Sequence, residues 1–346
     1  MKRKNFSYAR YGYIFSIPFV LAFLIFALYP LVYTVSISFT DRTGVHLPGR
    51  EYNIQTRNVT DVNGEPVLDA DGNQVTKIAP FENIRWVLNA QTFRRALRTT
   101  FEIWIVNFIP QLVLAIVLAA WFTSRWTKIK GQGLFKVLFY MPNIITAGSI
   151  AALFMALFMF PKGAVNDLLI MLGIIDSAKN FAVSGSSQKL IISFIQFWMW
   201  YGYTMLIVIS GIIGLNPQMY ESADIDGASA VKQFFYITLP NLKTILLFIL
   251  VTSVIGGLNM FDIPMLYADG GPAGATSTTS VFIYRQAFAG SYRYNIASAA
   301  SVVMFVIIAV LSAVLFYILR DKDAEKLKKM QRAERRAFKK AAKAVD

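Results

Sequence analysis

The 346-residue chain has no cysteine. That excludes a disulfide framework, a thiolate metal site and a cysteine nucleophile. It has one histidine, His46, and no neighbouring residue completes a site around it. Charge is scarce too. Asp, Glu, Lys and Arg make up 16% of the residues, against about 25% in an ordinary soluble domain. So little polar surface cannot cover a water-soluble globule of this length. No G-x-x-x-x-G-K-[ST] stretch occurs, so no loop of the kind that cradles nucleotide phosphates is expected.

Long apolar runs take the place of charge. The chain is 55% hydrophobic, and a membrane-crossing helix needs about 20 apolar residues. Six segments qualify: 13–39, 101–122, 134–160, 190–215, 245–264 and 296–318. The first follows "MKRK" but is too long for a signal peptide and lacks a small-residue cleavage site, so it reads as an uncleaved helix. The expected fold is all-α and polytopic, with six transmembrane helices. Residues 1–12 form a short arm, 13–319 the membrane domain and 320–346 a basic tail.

The net charge of +14 suggests nucleic acid in a soluble protein. Here the charges sort by side of the membrane instead. With the N-terminus in the cytoplasm, the cytoplasmic segments hold 21 basic and 8 acidic residues, and the outer ones 13 and 12. This satisfies the positive-inside rule and puts both termini inside. The tail from Arg320 is basic and helix-prone, suited to anionic lipid headgroups.

The first outer loop, 41–97, is too long to be structureless. Asn63-Gly64 and Asp71-Gly72 are turn signals with partial alternation around them, so a small extracellular β-hairpin insert is expected. "DADGN" at 69–73 lacks the spacing of a calcium loop and reads as a turn. Further on, Gly270-Gly271-Pro272 forces a tight irregular turn.

The cytoplasmic loop 216–243 is the least ordinary stretch. Asn216 is a good N-cap and Pro217 suits the first helical position. Glu221, Asp224 and Asp226 lie along that helix, and Gly227 interrupts it. Val231, Phe234, Phe235 and Thr238 then recur at helical spacing as one largely apolar face, with Leu239-Pro240 expected as its end. Helices resting on membranes usually carry Lys and Arg on the polar face. This one is acidic at its front, which fits a partner that receives a short helix in a groove.

Glu221-Ser222-Ala223, Gly227 and Ile237-x-Leu239-Pro240 resemble the "EAA" loop of membrane subunits of binding-protein-dependent ABC importers. The stretches "FENIRWVLNAQTFRRALRTTFEI", "FYMPNIITAGSIAALFMALF" and "FDIPMLYADGGP" are similar to the carbohydrate-uptake, maltose-type permeases. Nearly the whole chain shares the likeness, 51–79 excepted. The resemblance implies a type I importer permease fold, a second homologous permease subunit, an ABC ATPase dimer and an extracellular solute-binding protein. It implies a location in the bacterial cell membrane and no enzymatic activity in this chain, with ATP and Mg2+ held by the partner ATPase. It makes the loop a coupling helix in which Glu221, Ser222, Ala223, Asp226, Gly227, Phe234, Leu239 and Pro240 meet that ATPase.

A sugar path is expected near mid-membrane. Gln196, Trp200 and Tyr203 share a helix face. Counted from Leu190 at 1.5 Å per residue, Trp200 lies about 15 Å deep. Aromatic faces stack on sugar C–H faces while amides and hydroxyls bind its hydroxyls. The resemblance to the maltose-type permeases extends the path to the fifth helix, where Asn259 and Asp262 lie, and Trp198 on the fourth helix is a further candidate. Glu102 is expected to pair with Arg98 at i−4. Another small polar solute such as an amino acid is the alternative cargo. An ion-coupled secondary transporter is a further alternative, but it needs ionisable residues deep in the spans, and almost none are present. A membrane-anchored interaction protein without transport fits the polar–aromatic face of the fourth helix less well.

Overall fold

The structure is a computed structural model and describes residues 9–44, 52–60, 65–69, 71, 73–126, 130–290, 292–320 and 330–335. His46 and the turn residues Asn63, Gly64 and Gly72 lie outside that set, as does most of the basic tail. Among the described residues, five helices are long and apolar enough to cross a membrane, or six if one sharply bent pair counts as a span.

The chain divides into two compact units, residues 1–97 with 279–306, and 98–278 with 307–346. The first unit opens with α1 (Ala9–Phe23), a π-helical turn at Leu24–Leu28 and α2 (Tyr29–Ile37). Together they form the first span, whose side chains are almost all exposed within this chain. The π turn lies just before Pro30. A proline cannot donate to the carbonyl four residues back, and a widened turn ahead of it takes up the mismatch. The expected insert follows, with β1 (Thr56–Asn58) antiparallel to β2 (Thr76–Ile78), Arg57 facing Lys77. Bridges at Thr60–Pro66 and Leu68–Gln74 extend the hairpin. Its foot is anchored at Arg42. The guanidinium lies over the rings of Tyr33, Tyr52 and Tyr294 and bonds to the Tyr33 hydroxyl. Buried Asn83 on α3 (Glu82–Asn89) donates to the carbonyls of Ser38 and Thr40.

α4 (Gln91–Thr123) starts ten residues earlier than the apolar run indicates. Its front turns carry three arginines but bury Phe93 and Ala96, so tertiary packing extends the helix beyond the apolar window. In the second unit, the expected third span is broken. α5 (Gln132–Ile144) and α6 (Ala147–Leu157) meet at 92°. The cause is local: Ile145 is extended, and the Thr146 side chain caps α6 by accepting from the Ser149 amide. A hydroxyl cap starts a new helix where apolar count alone predicts continuity.

α7 (Ala164–Met171) precedes α8 (Gly185–Ile213), which carries the largest buried face in this unit. α5 crosses α8 so closely at Gly202 that a Cβ there would sit 2.0 Å from the Phe139 carbonyl oxygen. The cytoplasmic loop holds α9 (Pro217–Ile225), α10 (Ala230–Gln233), a second π turn at Phe234–Thr238 and α11 (Leu239–Asn241). α12 (Lys243–Leu258) and α13 (Asp262–Ala268) form the fifth span, interrupted at residues 259–261. The Gly270-Gly271-Pro272 turn is irregular as expected, with positive φ at Asp269, Gly270, Ala273 and Gly274. α14 (Thr279–Phe288) leads to α15 (Tyr294–Leu319), the last span.

Candidate functional site

Two features of the second unit bear on function: a cavity among the spans and the folded cytoplasmic loop.

The cavity has a volume of about 530 Å³, within the range of small-molecule sites. α8 supplies Gln196, Trp200, Tyr203 and Thr204. α4 supplies Trp104, Asn107 and Gln111, and α12 supplies Thr252, Ser253 and Gly257. The break in the fifth span contributes Asn259, Met260, Phe261 and Asp262. Irregular backbone at membrane depth is tolerated where it lines a cavity, and here Thr278 donates to the carbonyl of buried Met260 at 2.9 Å.

Five of the six expected path residues therefore converge. Trp198 does not. It sits two positions from both Gln196 and Trp200, so the helical twist carries it to the other side, where it packs edge-on to Phe154 in the core. The depth estimate also shifts. α8 begins at Gly185, five residues before the apolar run, and Trp200 falls one residue from the helix midpoint. Asp262 faces the cavity from the first turn of α13.

Sequence reasoning missed the α4 face. Trp104, Asn107 and Gln111 recur at i, i+3 and i+7, the same spacing that marked α8. Two amides in one apolar run were the available signal. The wall is held by cross-helix bonds: Gln111 Nε2 donates to Thr204 Oγ1 at 2.8 Å, and Trp104 Nε1 to Ser253 Oγ at 3.0 Å. Trp104 lies against Gly257, where a Cβ would fall 2.0 Å from its ring. Trp200 and Tyr203 meet edge to face at 5.8 Å. Among the described residues, Asp262 is the only carboxylate in the wall, and no Lys, Arg or His lines it. Glu102 points elsewhere. It pairs with Arg98 at 2.7 Å as expected, and also with Lys189 at 2.6 Å.

The cytoplasmic loop folds as two short helices joined by a turn. Asn216 caps α9 by accepting from the Gln218 amide at 3.0 Å, with Pro217 at the first helical position. Gly227 has φ +69° and open space around it. It is there for the left-handed turn and not for close packing. Glu221, Ser222, Asp226, Gly227 and Pro240 are exposed, Ala223 is buried, and Phe234 and Leu239 are half-buried. The expected apolar stripe is altered by the π turn, which aligns residues five apart. Thr238 falls beside Gln233 and both are buried, while Val231, Phe235 and Tyr236 remain exposed. Leu239-Pro240 does not end the helix. The widened turn before Pro240 lets it continue through α11 toward α12.

Residues 89–322 match the model of the family described as "Binding-protein-dependent transport system inner membrane component". The chain belongs to this family. The permease is 30% identical over 242 residues to the lactose transport system permease protein LacF of Rhizobium radiobacter, covering 69% of this chain and 80% of that one. It is 27% identical over 304 residues to the arabinooligosaccharides transport system permease protein AraP of Bacillus subtilis, covering 87% and 86%. The permease also shares its fold with a bacterial ABC transporter involved in the import of the acidic polysaccharide alginate. The TM-score is 0.71 at 21% identity, over 90% of this chain and 96% of that one. The permease is thus a multi-pass membrane protein of an importer family whose members are transport subunits.

Proposed function

We propose that this permease forms one half of a sugar pathway and is driven by a separate ABC ATPase dimer through the loop at 216–243. A second homologous permease supplies the other half, and an extracellular solute-binding protein delivers the sugar. ATP and Mg2+ belong to the ATPase, and both termini face the cytoplasm. The carrying observation is the cavity, where rings from Trp104, Trp200 and Tyr203 stand among amides and hydroxyls near the middle of two spans. Rings suit the C–H faces of a pyranose and the neutral polar groups suit its hydroxyls. The names of LacF and AraP support a saccharide cargo. This chain's half of the wall carries one carboxylate and no cation among the described residues, which suits a neutral saccharide better than an acidic one such as the alginate named for the fold relative.

The outward side of the loop, with exposed Glu221 on α9 and Asp226 just past it, is the surface offered to the ATPase. ATP-driven closure of that dimer pulls the loop and shifts the spans between inward- and outward-facing states, a two-state equilibrium biased by differential binding. The test is uptake of lactose, maltose, trehalose and arabinotriose by proteoliposomes holding the full complex, with and without the ATPase. ATP-dependent uptake of one of them is expected, abolished by Glu221→Lys or Gly227→Pro without loss of membrane insertion. Uptake that continues without the ATPase overturns the proposal.

A further inference from the structure

α9 could meet a partner with only its outward face, yet its inward face is tied to the rest of the chain by side chains of unrelated segments. Tyr220, Ala223 and Asp224 share that face at i, i+3 and i+4. Ala223 is buried. Tyr220 Oη and Thr238 Oγ1 lie 2.9 Å apart, and Gln233 Nε2 donates to Asp224 Oδ1 at 2.6 Å and to the Ala228 carbonyl at 3.0 Å. These bonds lock the first half of the loop to the second. A third element reaches the same two residues. Arg125 lies in the bend just beyond α4, its guanidinium 5.4 Å from the Tyr220 ring centre and 4.0 Å from Asp224 Oδ2. One planar cation thus meets a ring and a carboxylate one helical turn apart, an arrangement suited to arginine and not to lysine. The bend is itself held, since Gln132 at the start of α5 donates to the Phe122 carbonyl.

We infer that Arg125 is a positioning residue for coupling, a strut that makes the α9 lever move together with the cavity-lining helix α4. This rests on the coupling role proposed for the loop. The same helix that ends at this strut carries Trp104, Asn107 and Gln111 at the cavity. A pull on α9 then reaches the α4 wall directly, and not only through the chain connections at α8 and α12. Arg125 and Asp224 are both about half exposed, so the strut biases the position of the loop and contributes little to global stability.

The experiment uses the full complex in proteoliposomes and reads ATP hydrolysed per sugar imported, with the sugar that the four-member panel identifies. Arg125→Asp places like charges together and is expected to raise that ratio about two- to fivefold, the bias that an exposed ion pair and one cation–π contact can exert. Arg125→Lys gives an intermediate ratio, because charge remains but the planar stack is lost. A merely structural role would lower the amount of complex without moving ATP per sugar. An unchanged ratio in Arg125→Asp overturns the strut. Glu221→Lys is the companion arm: if it uncouples while Arg125→Asp does not, only the strut falls, and if it leaves uptake intact, the coupling role of the loop falls.

Discussion

Gly257 offers the sharpest test of the cavity. A methyl group there would sit 2.0 Å from Trp104 Cδ1 and 2.7 Å from Nε1, whereas non-bonded carbons prefer about 3.5–4.0 Å. The indole must therefore retreat by about 1.5 Å or more. It cannot do so in place. Trp104 stacks on Phe108 at 5.6 Å and donates to Ser253 Oγ at 3.0 Å. Retreat stretches that bond beyond use, costing about 1 kcal/mol, and overpacking adds about 1–3 kcal/mol. The open direction is the cavity beside it, so Gly257→Ala pushes a ring into the space proposed for the cargo. Thermal unfolding of the purified complex should show a loss of about 2–4 kcal/mol, and uptake should show a raised KM. In Gly257→Ala with Trp104→Ala the overlap is gone, so overpacking is relieved, but uptake stays poor because the ring is missing. If Gly257→Ala matches wild type in both stability and KM, Trp104 does not stand where the cavity needs it.

Other substitutions separate packing from function. Gly202→Ala presses on the Phe139 carbonyl, a backbone group that cannot rotate away. The protein should fail to accumulate in membranes by immunoblot, whereas Gly256→Ala, with open space around it, should accumulate normally. Trp200→Ala should raise the KM for the sugar with little loss of stability, and Trp198→Ala should lower stability by about 3 kcal/mol, with melting and uptake compared side by side. Asp262→Asn should leave uptake of the neutral sugar within about twofold, since uncharged polar groups remain to bind it, and should make an oligogalacturonate a better competitor than it is in wild type. Gly227→Ala should cost about 1 kcal/mol for its left-handed backbone, with Gly227→Asn milder, read as ATP-dependent uptake.

How far function was legible depended on periodicity. The α8 face could be found because Gln196, Trp200 and Tyr203 stand out against apolar neighbours at helical spacing. The α4 face had the same spacing, but its signal was two amides in a long apolar run, and nothing local says which cavity they enter. Trp198 was misplaced because composition was weighed over angle. The loop showed its cap, its proline and its glycine, each a local backbone matter. Its apolar stripe assumed 3.6 residues per turn, and the π turn ahead of Pro240 moved Thr238 inward.

By itself the sequence determined membrane residence, the number of apolar runs, the insert hairpin and the capped loop. Each follows from residues close together in the chain, through length, charge sorting or turn chemistry. Only the tertiary structure decided that the fifth run opens at Asn259 and that α4 closes the cavity across from α8. It also brought Arg125 to Tyr220 and Asp224. Those outcomes depend on which distant side chains find one another, as Trp104 finds the bare Cα of Gly257, and no local pattern encodes a partner some 150 residues away in the chain.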